Sequence, residues 1–123
     1  MSQKPADKTT MPSNIDKDYS IQEESERIFR NVLLTDQSLH LPEGIRDLAN
    51  RTKFDANAIS EPFLPTPVKM TQSITALWAL GATIANFICK ERYELDQDVV
   101  IDSDAASLFL MSSAVAKVNG RDL

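Results

Sequence analysis

The sequence predicts an α/β fold made mostly of helices, about four of them, with one short strand. Three observations carry that expectation. Apolar residues recur at spacings of three and four between Ile74 and Ile88. Ser20 followed by Glu23 forms a capping-box pattern at the head of another periodic run. Val99, Val100 and Ile101, bracketed by Asp98 and Asp102, form a compact apolar run of strand character.

Taken in chain order, residues 1–19 are polar, charged and proline-interrupted. They carry too little apolar surface to offset their ordering entropy, so a disordered tail is expected ahead of a single unit over 20–123. The first helix is expected over 20–34, with Ile21, Ile28, Val32 and Leu33 along its inward stripe. Asp36 to His40 ends it. A second helix is expected over 42–52, with Pro42 as its first residue and Ile45, Leu48 and Ala49 facing inward. Pro62, Pro65 and Pro67 then forbid a helix, leaving an extended connector anchored by Phe63, Leu64 and Val68.

The third helix is expected over 71–93, capped by Thr71 or Ser73. Its inward residues are read as Ile74, Leu77, Trp78, Ile84, Ala85 and Ile88, and Gly81 with Ala85 leaves a flat patch for close packing. The strand spans about 98–102. Ser103 or Asp104 caps a last helix over 104–118, which Asn119-Gly120 ends. A lone strand would leave backbone groups unpaired, which points to a partner sheet missing from the chain.

Composition narrows the function classes. At 123 residues the chain holds one domain at most. A net charge of −5, without a Lys/Arg cluster, argues against nucleic acid as a partner. The single cysteine, Cys89, excludes an internal disulfide and suits a reducing compartment, so the cytoplasm is the expected location. The N-terminus lacks the apolar stretch of a secretory signal. The run from Ile74 to Cys89 is shorter than a membrane span, so a buried helix is expected and no membrane partner.

No metal site is expected. His40 stands alone, and Asp98, Asp102 and Asp104 lack the glycine and terminal glutamate of a calcium loop. The aspartates read as a solvated strand edge with a helix cap. Cys89, on an apolar helix and far from His40, reads as a small hydrophobe rather than a nucleophile. The three glycines are scattered, so no phosphate-binding loop exists.

One ordered set of motifs is more specific. An apolar helix ends in Lys90-Glu91-Arg92, and Gln97-Asp98-Val99-Val100-Ile101-Asp102-Ser103 follows, then Ala105-Ala106-Ser107-Leu108. Pro65-Thr66-Pro67-Val68-Lys69 precedes the helix. This order resembles family III CoA-transferases of the CaiB/BaiF type, above all the N-terminal part of fungal and two-part members. The resemblance covers about 20–123 and is most specific over 60–115. It implies acyl-CoA and carboxylic acids as substrates, with CoA itself not bound covalently as a cofactor, and a nucleophilic aspartate that attacks the thioester near the start of the apolar helix.

Counting back from Arg92 by that resemblance places Gln72 at the aspartate's position. No Asp or Glu lies between Glu61 and Glu91, so a small slip in register recovers no carboxylate. An amide is a very poor nucleophile at neutral pH. The resemblance therefore implies a truncated, non-catalytic N-terminal portion with no catalytic residue and no assigned CoA-binding residue. Its apolar face is expected to need a partner chain or the missing C-terminal half. The alternative is a small helical binding or assembly module that docks a partner through Trp78 and Phe87, without CoA chemistry.

Overall fold

The computed structural model describes residues 19–55, 61–62, 66–112 and 117–122. Of the tail expected over 1–19, residues 1–18 lie outside these residues, as do the anchors Phe63 and Leu64 and Pro65 of the motif, whereas Tyr19 is ordered and accepts a hydrogen bond from Gln72. Within them the chain forms α1 (Ile21–Arg27), continued by a π-helical turn over Ile28–Leu33, then a 3-10 turn over Gln37–Leu39. α2 (Ile45–Ala49), β1 (Thr52–Phe54), α3 (Met70–Tyr93), β2 (Val99–Ile101) and α4 (Ser103–Leu110) follow. A small hairpin, β3 (Lys117–Val118) and β4 (Arg121–Asp122), closes the chain. The mostly helical α/β class is as expected.

α1 starts where the capping box placed it, with the Ser20 hydroxyl accepting from the Glu23 N–H at 3.1 Å. Along α1 and its π-helical continuation, the buried residues Ile21, Ser25, Phe29 and Leu34 follow one stripe at steps of four, four and five, with Gln22 buried beside it. The last step needs one extra residue in the turn. The π-helical stretch supplies it, and the Leu34 N–H reaches the Phe29 carbonyl at 3.0 Å. That rotation corrects the expected stripe: Val32 is exposed, while Phe29 is fully buried edge-on to Phe54 at 6.0 Å.

α2 begins later than expected because Gly44 takes φ +87°, a left-handed turn that leaves Pro42 outside the helix. Ile45, Leu48 and Ala49 face inward as expected.

The strand is not alone. β2 pairs in parallel with β1, in register Thr52 with Val99 and Phe54 with Ile101. Parallel strands require a crossover, and α3 provides it, so β1–α3–β2 is one βαβ unit. Thr52-Lys53-Phe54 is too short to stand out in the sequence, and its first residue is the last of the helix expected over 42–52. The Thr52 and Thr83 hydroxyls lie 2.7 Å apart and join β1 to α3 in the interior. The Asn86 amide donates to the Gln97 carbonyl at 3.0 Å and holds the segment leading into β2.

α3 is turned away from most of the expected stripe; of that stripe, Ile84 is half-buried against the core and Ile74 is half-buried. Its buried residues are Thr71, Gln72, Thr75, Ala76, Ala79, Leu80, Thr83 and Asn86. Leu77, Trp78, Gly81, Ala85 and Ile88 are exposed instead. The helix starts at Met70 after Lys69, without a side-chain cap, so neither Thr71 nor Ser73 serves as one. Val68, expected as an anchor, is 62% exposed. By length and composition α3 could cross a membrane, yet its Gln72, Thr83 and Asn86 side chains are engaged with Tyr19, β1 and the β2 approach.

Asp102, rather than Ser103 or Asp104, caps α4 by accepting from the Asp104 and Ala105 N–H groups. α4 ends at Leu110, not near 118, and 113–116 lie outside the described residues. Asn119 and Gly120 both have positive φ, +52° and +75°. They form the tight turn of the β3–β4 hairpin rather than a helix end, because two successive left-handed residues match the twist of paired strands.

Candidate functional site

The position of interest is Gln72, the third residue of α3. It is 5% exposed, and its amide Nε2 donates to the Tyr19 hydroxyl at 2.7 Å. Tyr19 stands directly before the α1 cap, so the pair ties the head of α1 to the head of α3. The second tie is ionic. The Lys69 ammonium lies 2.6 Å from Glu24 Oε1, and Arg27 grips both oxygens of the same carboxylate at 2.7 and 2.9 Å.

Glu24 is the carboxylate nearest this junction in the bonding network, and its electrostatics decide its use. Hydrogen bonds from Arg27 and Lys69 hold it at about 2, down from its ordinary 4.5. A carboxylate held by two cations is ionised, but its lone pairs are already engaged. It anchors the junction and is not poised for attack on a thioester. Below it, the Gln22 amide reaches the Ser103 hydroxyl at 3.2 Å and brings α4 to the same interior. Ser25 Oγ and Thr71 Oγ1 are buried there without a hydrogen-bond partner. Polar interior contacts thus run down the packed α1, α3 and α4 interfaces.

Among the described residues, clefts open elsewhere, and two of them involve residues singled out from the sequence. One, of about 450 Å³, is lined by Asp36, His40, Glu43 and Arg46 around the turn into α2. His40 is exposed there in a left-handed turn, as expected for a surface loop histidine. The other, of about 390 Å³, is apolar and lies between Trp78 of α3, the end of β2, and Ala105 and Phe109 of α4. Trp78 and Phe109 meet edge to face at 4.9 Å. Phe87, expected to share the docking face with Trp78, is half-buried and packs toward Gly44 instead.

The other residues singled out from sequence are separate from Gln72. Asp98 pairs with Arg51 at 2.9 Å, which lowers its pKa below the usual carboxylate range, and Asp96 pairs with the same guanidinium. Cys89 is a free thiol, partly buried. Among the described residues, no three His, Cys, Asp or Glu side chains come together as a metal site would require. Sequence reasoning missed Tyr19 and Glu24 as partners of the α3 head. Glu24 carried one usable signal, its i,i+3 spacing from Arg27.

With this geometry in place, comparison with known proteins adds one relative. The chain is 29% identical over 106 residues to the acetyl-coenzyme A transferase nodX of Hypoxylon pulicicidum. The match takes in 85% of this chain and 18% of the length of that protein. No protein-family profile matches the chain, and no solved structure does. The chain is therefore distantly similar to a fungal CoA-transferase, over less than a fifth of its length.

Proposed function

We propose that this chain corresponds to an N-terminal portion of a family III CoA-transferase-like subunit and does not turn over by itself. The observation that carries the reading is the distant similarity over 106 residues, 85% of this chain, to a fungal acetyl-CoA transferase. In complete members an aspartate would attack the acyl-CoA thioester and form an acyl-enzyme intermediate. Here Gln72 holds that position, buried and hydrogen-bonded to Tyr19, and the nearby Glu24 is clamped by two cations. Both features favour a structural role for the α3 head. CoA thioesters are the ligand class this reading implies, and the unpartnered apolar side of α3 and α4 is where further structure would pack.

Calorimetry of CoA and acetyl-CoA against the purified chain tests the reading. Saturable binding supports it, and a well-folded chain that binds neither counts against it. Gln72→Asp is expected to give no detectable CoA transfer, since a carboxylate inserted against the Tyr19 hydroxyl still lacks a thioester site. Measurable transfer by that variant would overturn the claim that this portion is inactive alone.

The second reading, a docking module without CoA chemistry, is favoured by one observation. Leu77, Trp78 and Ile88 of α3 and Leu108 and Phe109 of α4 all remain exposed. A folded chain that ignores CoA but captures a protein partner would favour that reading.

A further inference from the structure

We propose that Thr66 is a phosphorylation site for a protein kinase that reads a following proline and a nearby basic residue, and that the phosphate draws the Lys69 ammonium away from Glu24. This is independent of the CoA reading, because it rests on the segment leading into α3 and on the ion pairs at the head of that helix.

Thr66 is the only serine or threonine in the sequence that precedes a proline, and Lys69 follows three residues later. Most interior hydroxyls are out of a kinase's reach. Those of Ser25, Thr71, Thr75, Thr83, Ser103 and Ser107 belong to buried residues. Thr66 is exposed, in a stretch over 66–69 that is neither helix nor strand. Proline disfavours helical backbone at the residue before it, so Thr66-Pro67 suits the extended path of a kinase cleft. The Lys69 side chain is 58% exposed, which leaves it open to an acidic recess on the kinase.

The reaction is phosphoryl transfer from ATP. The Thr66 oxygen bonds to the γ-phosphorus, and the bond from that phosphorus to the oxygen bridging the β-phosphate breaks. ADP leaves, and the hydroxyl proton passes to the kinase's catalytic carboxylate.

The head of α3 gives the new charge a partner. The Thr66 hydroxyl donates to the Val68 carbonyl at 2.7 Å. A phosphorylated oxygen has no hydrogen to donate, so that bond is lost. The carbonyl keeps the Met70 N–H at 2.8 Å. α3 begins without a side-chain cap and with no acid in its first turn, so its own residues do not offset the positive helix end. Lys69, at that end, directs its charge at Glu24. A phosphate, with nearly two negative charges only three residues from Lys69, is the stronger partner. Glu24 tolerates the exchange because Arg27 holds both of its oxygens. Phosphorylation thus releases the ionic tie between the heads of α1 and α3 and leaves the Gln72–Tyr19 bond in place.

The test is incubation of the intact chain with a proline-directed kinase and ATP, with the phosphate located by peptide mass spectrometry. A peptide of residues 62–70, whose only hydroxyl is that of Thr66, reports recognition of the sequence apart from the fold. Both are expected to be phosphorylated at Thr66, and Pro67→Ala should slow the reaction roughly tenfold or more. In the phosphorylated chain, phosphorus NMR should place the second phosphate pKa below its ordinary value of about 6, and Lys69→Gln should restore it. Carbon NMR should show Glu24 titrating higher than in the unmodified chain, since it loses one of the two side chains that hold it low. A peptide left unmodified, a modified peptide beside an unmodified chain, or an unchanged rate in Pro67→Ala would each overturn the site. Phosphate on Thr66 with an ordinary second pKa, or with Glu24 titrating as before, would overturn the exchange of Lys69.

Discussion

The two faces of α3 invert the usual arrangement, and the inversion explains how the unit packs. The inward face carries threonines, alanines, Gln72 and Asn86, and the outward face carries Leu77, Trp78 and Ile88. Small inward residues let α1, α2 and both strands approach the helix closely. The space beside Ala76 and Ala79 is filled by Phe29, Leu34 and Ile101 from other elements. Hydroxyls are tolerated inside because they fold back on the helix: Thr75 donates to the Thr71 carbonyl and Thr83 to the Ala79 carbonyl, each at 2.7 Å. Such a threonine packs almost like a valine. The outward face is unsatisfied in another sense, since Leu77, Trp78 and Ile88 each stay more than two-fifths exposed although Trp78 meets Phe109 of α4 edge to face.

The comparison is most sharply broken at Phe29, which fills the room left by the alanines. Phe29→Ala is expected to cost about 3–5 kcal/mol, read as a lowered urea midpoint, and in a domain this small it can unfold the chain. Ala79→Leu tests the same contact from the other side. Overpacking a fully buried alanine is expected to cost about 1–3 kcal/mol. If it were tolerated without loss, the inward assignment of this face would be wrong.

The third test concerns the ionic tie at the head of α3. Glu24 is held at about 2 from an ordinary 4.5, so its folded-state pKa lies below its unfolded one. Its contribution is fully present above about 4.5 and is lost as pH falls from there toward 2. Denaturant midpoints should therefore fall across that window, and Glu24→Gln should flatten that part of the profile. The partners Lys69 and Arg27 are each more than half exposed, so salt should reduce the effect.

The smallest effect is expected on the outward face. Leu77→Ser, at a side chain 52% exposed, should change stability by no more than about 0.5 kcal/mol. A loss comparable to that of Ala79→Leu would mean that this face is covered in the folded chain.

Legibility in the sequence followed the range of the interactions. The Ser20 cap, the helical periodicity of α3 and the VVI strand are local, and each lies within two residues of its expected place. β1 was hidden because three residues carry no readable period, and its pairing partner is distant in sequence. Asn119-Gly120 signals a helix end and a hairpin turn alike; only the pairing of Lys117–Val118 with Arg121–Asp122 separates the two. At the candidate site, the position of Gln72 and the lack of nearby acids in sequence were readable. Its bond to Tyr19 was not, because it joins residues 53 apart.

The sequence by itself determined the α/β class, the order of the helices, and the division of α3 into a bulky apolar stripe and a small polar one. Which stripe turned inward was decided by the tertiary structure. Periodicity records that two faces differ, but not what each face meets. Close approach of Phe29 and Ile101 required small residues on the buried side. Hydroxyls that satisfy themselves on their own helix carried little penalty for being there.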